Sequence, residues 1–270
     1  MKATGDELAT LSAAEIVALN KKNLDVIDIG GNIAAVSAVQ AAALVGAGAL
    51  RFAAEDVVTV SDTGAGLAGL TAAQIGALKA SGVDAIDASD NRIDLSLAQF
   101  KALGSLALGG NDVIKVQGTQ AADTFTGRGG NHAFFGLNGN DTIKGSAGHE
   151  TLSGGSGNDV LYGGTGRDTF VFNTALNART NKDRIMDWNK TYDTIQLENA
   201  VFKKLTKTGT LSASFFKLGS KALDANDYIG YDRATGDLWY DSNGSAAGGQ
   251  VVFANIGKGK AIAYNDFVVI

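Results

Sequence analysis

Six side chains recur at every ninth position of the chain: Asp123, His132, Asp141, Glu150, Asp159 and Asp168. Four of the six are Asp, and a fifth, Glu150, is also a carboxylate. With no Cys and only His132 and His149 in 270 residues, a thiolate or His-rich metal site is excluded. What remains for a metal is oxygen, from carboxylates and backbone carbonyls, which suits a hard divalent cation.

These residues sit in six consecutive units that start at Gly118: GTQAADTFT, GRGGNHAFF, GLNGNDTIK, GSAGHETLS, GGSGNDVLY and GGTGRDTFV. Gly opens each unit. The fourth place is Gly130, Gly139, Gly148, Gly157 and Gly166, with Ala121 the exception, and the eighth is Phe125, Phe134, Ile143, Leu152, Leu161 and Phe170. A flexible Gly-rich linker would not carry a large apolar residue every ninth place. Six Gly-rich residues can turn and aim carbonyls inward, and three more form a strand with its eighth-place side chain in the core. Two units make one coil of 18 residues, so units of equal parity stack and their carboxylates come close. Without a cation these charges repel, so metal binding is expected to supply folding free energy.

The pattern G-G-x-G-x-D-x-U-x resembles the repeats-in-toxin (RTX) nonapeptide family, which implies a parallel β-roll and Ca²⁺ as the cofactor. The expected ligands are Asp123, Asp141 and Asp159 with the carbonyls of Gly139 and Gly157 on the odd edge. On the even edge they are Glu150 and Asp168 with Gly148 and Gly166. Imidazole is a poor Ca²⁺ ligand and Glu is one methylene longer than Asp, so the odd edge is expected to bind better. Asp141, central in its column, should matter most and His132 least.

The elements around this block follow from composition and a second repeat. The chain has 36 Gly and no Pro, where average usage would give about 13 Pro; an architecture needing nearly every backbone N–H excludes Pro. A net charge of -5 argues against nucleic acid as partner. The charged N-terminus lacks an apolar signal-peptide core. Gly30 to Leu50 carries no charge, but it is Ala- and Gly-rich and falls within a repeat, so no transmembrane segment is expected. That repeat is 25 residues long: Leu11 to Ile16, Val36 to Ala41, Leu70 to Ile75 and Leu95 to Phe100 echo one another, with a nine-residue insertion, Ser61 to Gly69. Each unit has a Ser or Thr followed three places later by Glu or Gln, a capping-box pattern, before an Ala-rich turn ending at Leu19, Leu44, Leu78 or Leu103. A β-like run follows in the clearer units, Leu24 to Ile29 and Val83 to Asp87. The pattern predicts an α/β solenoid similar to leucine-rich repeats.

Beyond Phe172, strands are expected at Asp183 to Trp188, Asp193 to Leu197, a hairpin through Gly236, Gln250 to Ala254 and Ala261 to Ile270. This stretch resembles the C-terminal domain of serralysin-type metalloproteases. That resemblance implies a cap on the roll and an uncleaved type I secretion signal at Asp266-Phe267-Val268-Val269-Ile270, residues that also read as an ordinary edge strand. Asp241-Ser242-Asn243-Gly244 reads as a turn rather than half of an EF-hand loop.

No H-E-x-x-H or G-x-S-x-G occurs, so catalytic residues are expected to be absent. Gly64-Ala65-Gly66-Leu67-Ala68-Gly69 fits G-x-G-x-x-G, but it lies in the insertion with no full Rossmann unit around it. The reading is therefore mainly β: residues 1–117 a helix–strand solenoid, 118–172 the β-roll, and 173–270 the cap with the secretion signal. The expected function is a secreted, extracellular calcium-binding interaction or adhesion module. Its partners would be calcium ions, the type I secretion apparatus, and a glycan, matrix or host surface. The alternative is the carrier end of a larger exported protease, lipase or polysaccharide-active enzyme.

Overall fold

The computed structural model describes residues 2–22, 26–46, 48 and 50–270, in two compact units, Met1–Val116 and Gln117–Ile270. Leu24 and Asp25 of the expected β-like run lie outside the described residues.

In the first unit the repeat helices are Ala13–Lys21, Ala38–Gly46, Ala72–Leu78 and Leu97–Ala102. Their starts follow the 25-residue period because the capping boxes form. The Thr71 N–H donates to Gln74 Oε1 at 2.8 Å while the Gln74 N–H returns to Thr71 Oγ1 at 3.2 Å, and Ser96 and Gln99 repeat the exchange. Where the sequence shows one strand per repeat, the structure has two, as in Ala85–Ala88 and Arg92–Ser96. Asn91 turns the corner between them at φ 55°, a conformation Asn tolerates better than most residues.

Val57–Asp62 pairs in parallel with Ile33–Val36 through its first four residues and with Ala85–Ala88 through its last four. The insertion then closes as a five-residue helix, Gly64–Ala68, capped by Thr63. Side chains at Gly64 and Gly66 would collide with the Arg92 carbonyl and the Asp62 carboxylate, so packing accounts for both glycines of the G-x-G run. Gly30 to Leu50 divides into Ile33–Val36 and Ala38–Gly46; among the described residues no helix is long and apolar enough to cross a membrane.

In the second unit, nonapeptides of equal parity pair at an offset of 18: Thr124–Thr126 with Thr142–Gly148 and Val160–Gly166, and His132–Phe135 with Thr151–Ser153 and Thr169–Phe172, all parallel. The result is a parallel β-roll. Every eighth-place residue from Phe125 to Phe170 is fully buried, and Phe125 meets Phe134 edge to face at 5.6 Å.

The stacks do not stop with the nonapeptides. Asp183–Ile185 and Gln250–Asn255 extend one, and Thr194–Leu197 and Phe267–Val269 the other. Ile229–Asp232, Asp237–Asp241 and Gln250–Asn255 form an antiparallel meander, with Gly236 at φ 86° in its first turn. Phe267–Val269 is not an edge: Thr194–Leu197 flanks it on one side and Gly209–Thr210 on the other. Asp241-Ser242-Asn243-Gly244 is a turn, its Asp241 carboxylate accepting the Asn243 N–H at 3.1 Å.

Gln99 has a second task, donating its Nε2 to the carbonyls of Ala68 and Leu70 at 2.8 and 2.7 Å. Gln99→Glu keeps the cap acceptor but deletes these donors. It is expected to destabilise the first unit by about 1–3 kcal/mol, read as a lower midpoint in urea.

Candidate metal centre

Each sixth-place carboxylate sits where its Gly-rich turn enters the strand, directly over the same position one coil away. The Asp123 N–H donates to Asp141 Oδ1 at 2.7 Å, the Asp141 N–H to Asp159 Oδ1 at 2.7 Å, and the Asp159 N–H to Asp183 Oδ1 at 3.1 Å. The odd column thus gains a fourth member. One oxygen of each interior carboxylate is used in this way. The other, Oδ2 of Asp141 and of Asp159, is buried with no hydrogen-bond partner, which is costly unless a cation meets it.

Glycine leaves room at that place. A methyl group at Gly136 would fall against both Asp141 Oδ2 and the Gly154 carbonyl, and one at Gly154 against Asp159 Oδ2. Carboxylate and carbonyl oxygens therefore converge beside the first glycine of the turn. The fourth glycines stack as well: Gly157, at φ 146°, lies so close over the Gly139 carbonyl that no side chain fits.

The even column is His132, Glu150, Asp168 and Asp193. The Glu150 N–H donates to Asp168 Oδ1 at 3.0 Å and the Asp168 N–H to Asp193 Oδ1 at 3.2 Å. Both oxygens of Glu150 are buried without a hydrogen-bond partner. Gly166, at φ 141°, lies over the Gly148 carbonyl as Gly157 does over Gly139.

Burial and like charge act together on both columns. Burial, with Asp159 and Asp123 nearby, pushes the Asp141 carboxyl up to about 6. Burial, with Glu150 and Asp193, takes Asp168 up to about 7. Asp159 and Asp193 are raised mainly by burial, and Asp183 lies well above the usual carboxylate range.

These residues fit a calcium ion. Among the described residues no three His, Cys, Asp or Glu side chains converge on one point, so each ion would combine carboxylates with backbone carbonyls. Asp141 and Asp159 would hold it on the odd edge with turn carbonyls of residues 136–139 and 154–157. Asp123, half-buried at the start of its column, stands further from this arrangement, with its Oδ2 taken by the Thr119 N–H at 2.6 Å. A bound cation would supply the positive charge that lets the carboxylates stay ionised while buried.

Three features lie outside the nine-residue pattern. Asp183 and Asp193 follow their column neighbours by 24 and 25 residues instead of 18. The carboxylates meet carbonyls beside the first-place glycines, as at Gly136 and Gly154, and not only at the fourth place. Asp112 also repeats the motif, since Gly110-Asn111-Asp112-Val113-Ile114 matches Gly157-Asn158-Asp159-Val160-Leu161. Its carboxylate accepts the Ala88 N–H at 3.1 Å. The shared G-N-D-x-U string is the signal that would have found it.

Residues 108–143 and 135–170 match the family model described as the RTX calcium-binding nonapeptide repeat. Over 108–170 the chain thus carries RTX-type nonapeptide repeats, and the match begins ahead of Gly118, where Asp112 gives both carboxylate oxygens to the Ala88 N–H. The chain is also similar, at 25% identity and a TM-score of 0.37, to a repeat subunit of the Azotobacter vinelandii mannuronan C5-epimerase solved in solution. That similarity covers 56% of this chain and 80% of the other. No match is found among curated proteins.

Two outcomes follow. Asp141→Asn and Asp159→Asn keep the oxygen that accepts the neighbouring N–H but remove the charge. Each is expected to weaken calcium binding by several kcal/mol in a calorimetric titration, and Asp123→Asn by much less. Raised carboxylates also give the metal-free roll an inverted pH dependence. Their stabilising contribution is complete below the unfolded value near 4 and is lost as pH rises through 6 to 7. In chelator, circular dichroism should therefore show more β structure at pH 5 than at pH 8. In saturating calcium the order should reverse, because protons compete with the metal.

Proposed function

We propose that this chain is an exported, extracellular calcium-folded module with no catalysis of its own, serving as a structural or adhesive element. The observation that carries this reading is the pair of buried, partnerless oxygens, Asp141 Oδ2 and Asp159 Oδ2, in an all-oxygen cradle. A roll that stores uncompensated carboxylates is loose where calcium is scarce, as in cytosol, and folds where it is near millimolar. Such a chain can pass an exporter unfolded and fold outside.

The C-terminal strand supports this reading. In the folded chain Phe267 and Val269 are buried, and Asp266 is held by Lys190 Nζ at 3.1 Å. An acidic-apolar export signal at 266–270 would be accessible only before folding, which a calcium-gated fold provides. The first unit, a solenoid with its own core, would offer a surface to a glycan, matrix or host protein.

The test is a calcium titration of the full chain followed by circular dichroism, together with co-expression with a type I exporter. The expected result is a cooperative gain of β structure on calcium binding, and recovery of the intact chain in the medium. Full β content in chelator at neutral pH, unchanged by calcium, would remove the folding mechanism. Retention of the chain in cells would remove the export role.

A further inference from the structure

The even edge departs from the repeat pattern twice in one place, and the two departures face each other. His132 replaces the usual Asp and Glu150 replaces the next, and His132 Nδ1 lies 3.8 Å from Glu150 Oε1 with both side chains almost fully buried. That separation is too long for a hydrogen bond. It is within reach of one shared metal ion, since a zinc–nitrogen and a zinc–oxygen bond together span at most roughly 4.2 Å. The longer Glu side chain brings its carboxylate forward, and neither of its oxygens has a hydrogen-bond partner. A third donor lies beside the Glu150 carboxylate: a methyl group at Gly148 would fall against the Gly130 carbonyl and lie 2.9 Å from Glu150 Oε1. The His132 ring is held parallel to Phe134, 11° apart at 5.4 Å between centroids, so its direction is fixed by the core.

The geometry points to a site for a borderline divalent cation of the Zn²⁺ class, built by His132 Nδ1, Glu150 and the Gly130 carbonyl. One nitrogen and two types of oxygen form a donor set that first-row transition ions prefer and Ca²⁺ does not. The RTX roll thus carries two metal selectivities: hard-cation cradles along the Asp column, and one nitrogen-bearing site where the even column begins. The site uses the calcium-loaded roll of the proposed function as its frame.

Zinc chloride titrated into the calcium-saturated full chain tests this directly. The expected result is one zinc per chain that millimolar calcium does not displace. His132→Ala and Glu150→Ala should each weaken it at least tenfold, and His149→Ala should leave it unchanged. His132→Asp, which restores the repeat pattern, should lose the zinc and gain a calcium. Circular dichroism in calcium confirms that each variant is folded. Should His132→Ala fail to fold, ¹⁵N spectra of the wild-type imidazoles decide: zinc must shift His132 Nδ1 and leave His149 in place. No zinc bound at micromolar concentration, or zinc that follows His149 instead, overturns the inference. A normal calcium-folding response alongside either result would sink this site alone and leave the proposed function standing.

Discussion

Stacking one carboxylate directly over another, one coil apart, inside a protein, is the constraint on which the rest of this structure depends. Each interior Asp of the odd column gives one oxygen to the N–H of the Asp in the preceding coil, which fixes the coil register. The other oxygen is buried with nothing to meet it. Its desolvation and the neighbouring charges both disfavour ionisation, and a cation removes both penalties at once.

The first unit shows what the same contact looks like when it is purely structural. Asp56 also accepts a backbone N–H from a neighbouring coil, that of Ile29, but both of its oxygens are used, one of them shared with the Ala53 N–H of its own turn. Asp112 likewise gives both oxygens to the Ala88 N–H. The carboxylate-to-backbone step is thus common to both units. Orphaned oxygens, and glycines that clear space beside them, distinguish the roll. The absence of Pro is consistent with this architecture, since backbone N–H groups are consumed by ladders or carboxylates throughout.

Much of this is legible in the sequence. A period of nine with a fixed apolar place is a stringent pattern, so the roll, its coil of two units and its column residues could be read directly. The capping boxes were equally readable because each places a side chain three residues from its partner. What could not be read depended on distance along the chain. Asp183 and Asp193 join their columns across longer connections, so periodicity ends just where the stacking continues. The second strand of the solenoid repeat, as in Arg92–Ser96, runs directly into the capping box of the next helix, with Ser96 as its N-cap, so the helix signal claims its residues. Gln99 shows a cap in the sequence, but its bonds to Ala68 and Leu70 span about thirty residues and leave no local trace.

Amide hydrogen exchange at Asp123, Asp141 and Asp159 addresses the central claim most directly, because each of these N–H groups donates to the carboxylate below it. The account predicts that in chelator at neutral pH all three exchange nearly as fast as in an unfolded chain, and that millimolar calcium protects Asp123, Asp141 and Asp159 together. Strong protection of the three amides in chelator, unaltered by calcium, would show that the column is stable without a cation and would contradict the account.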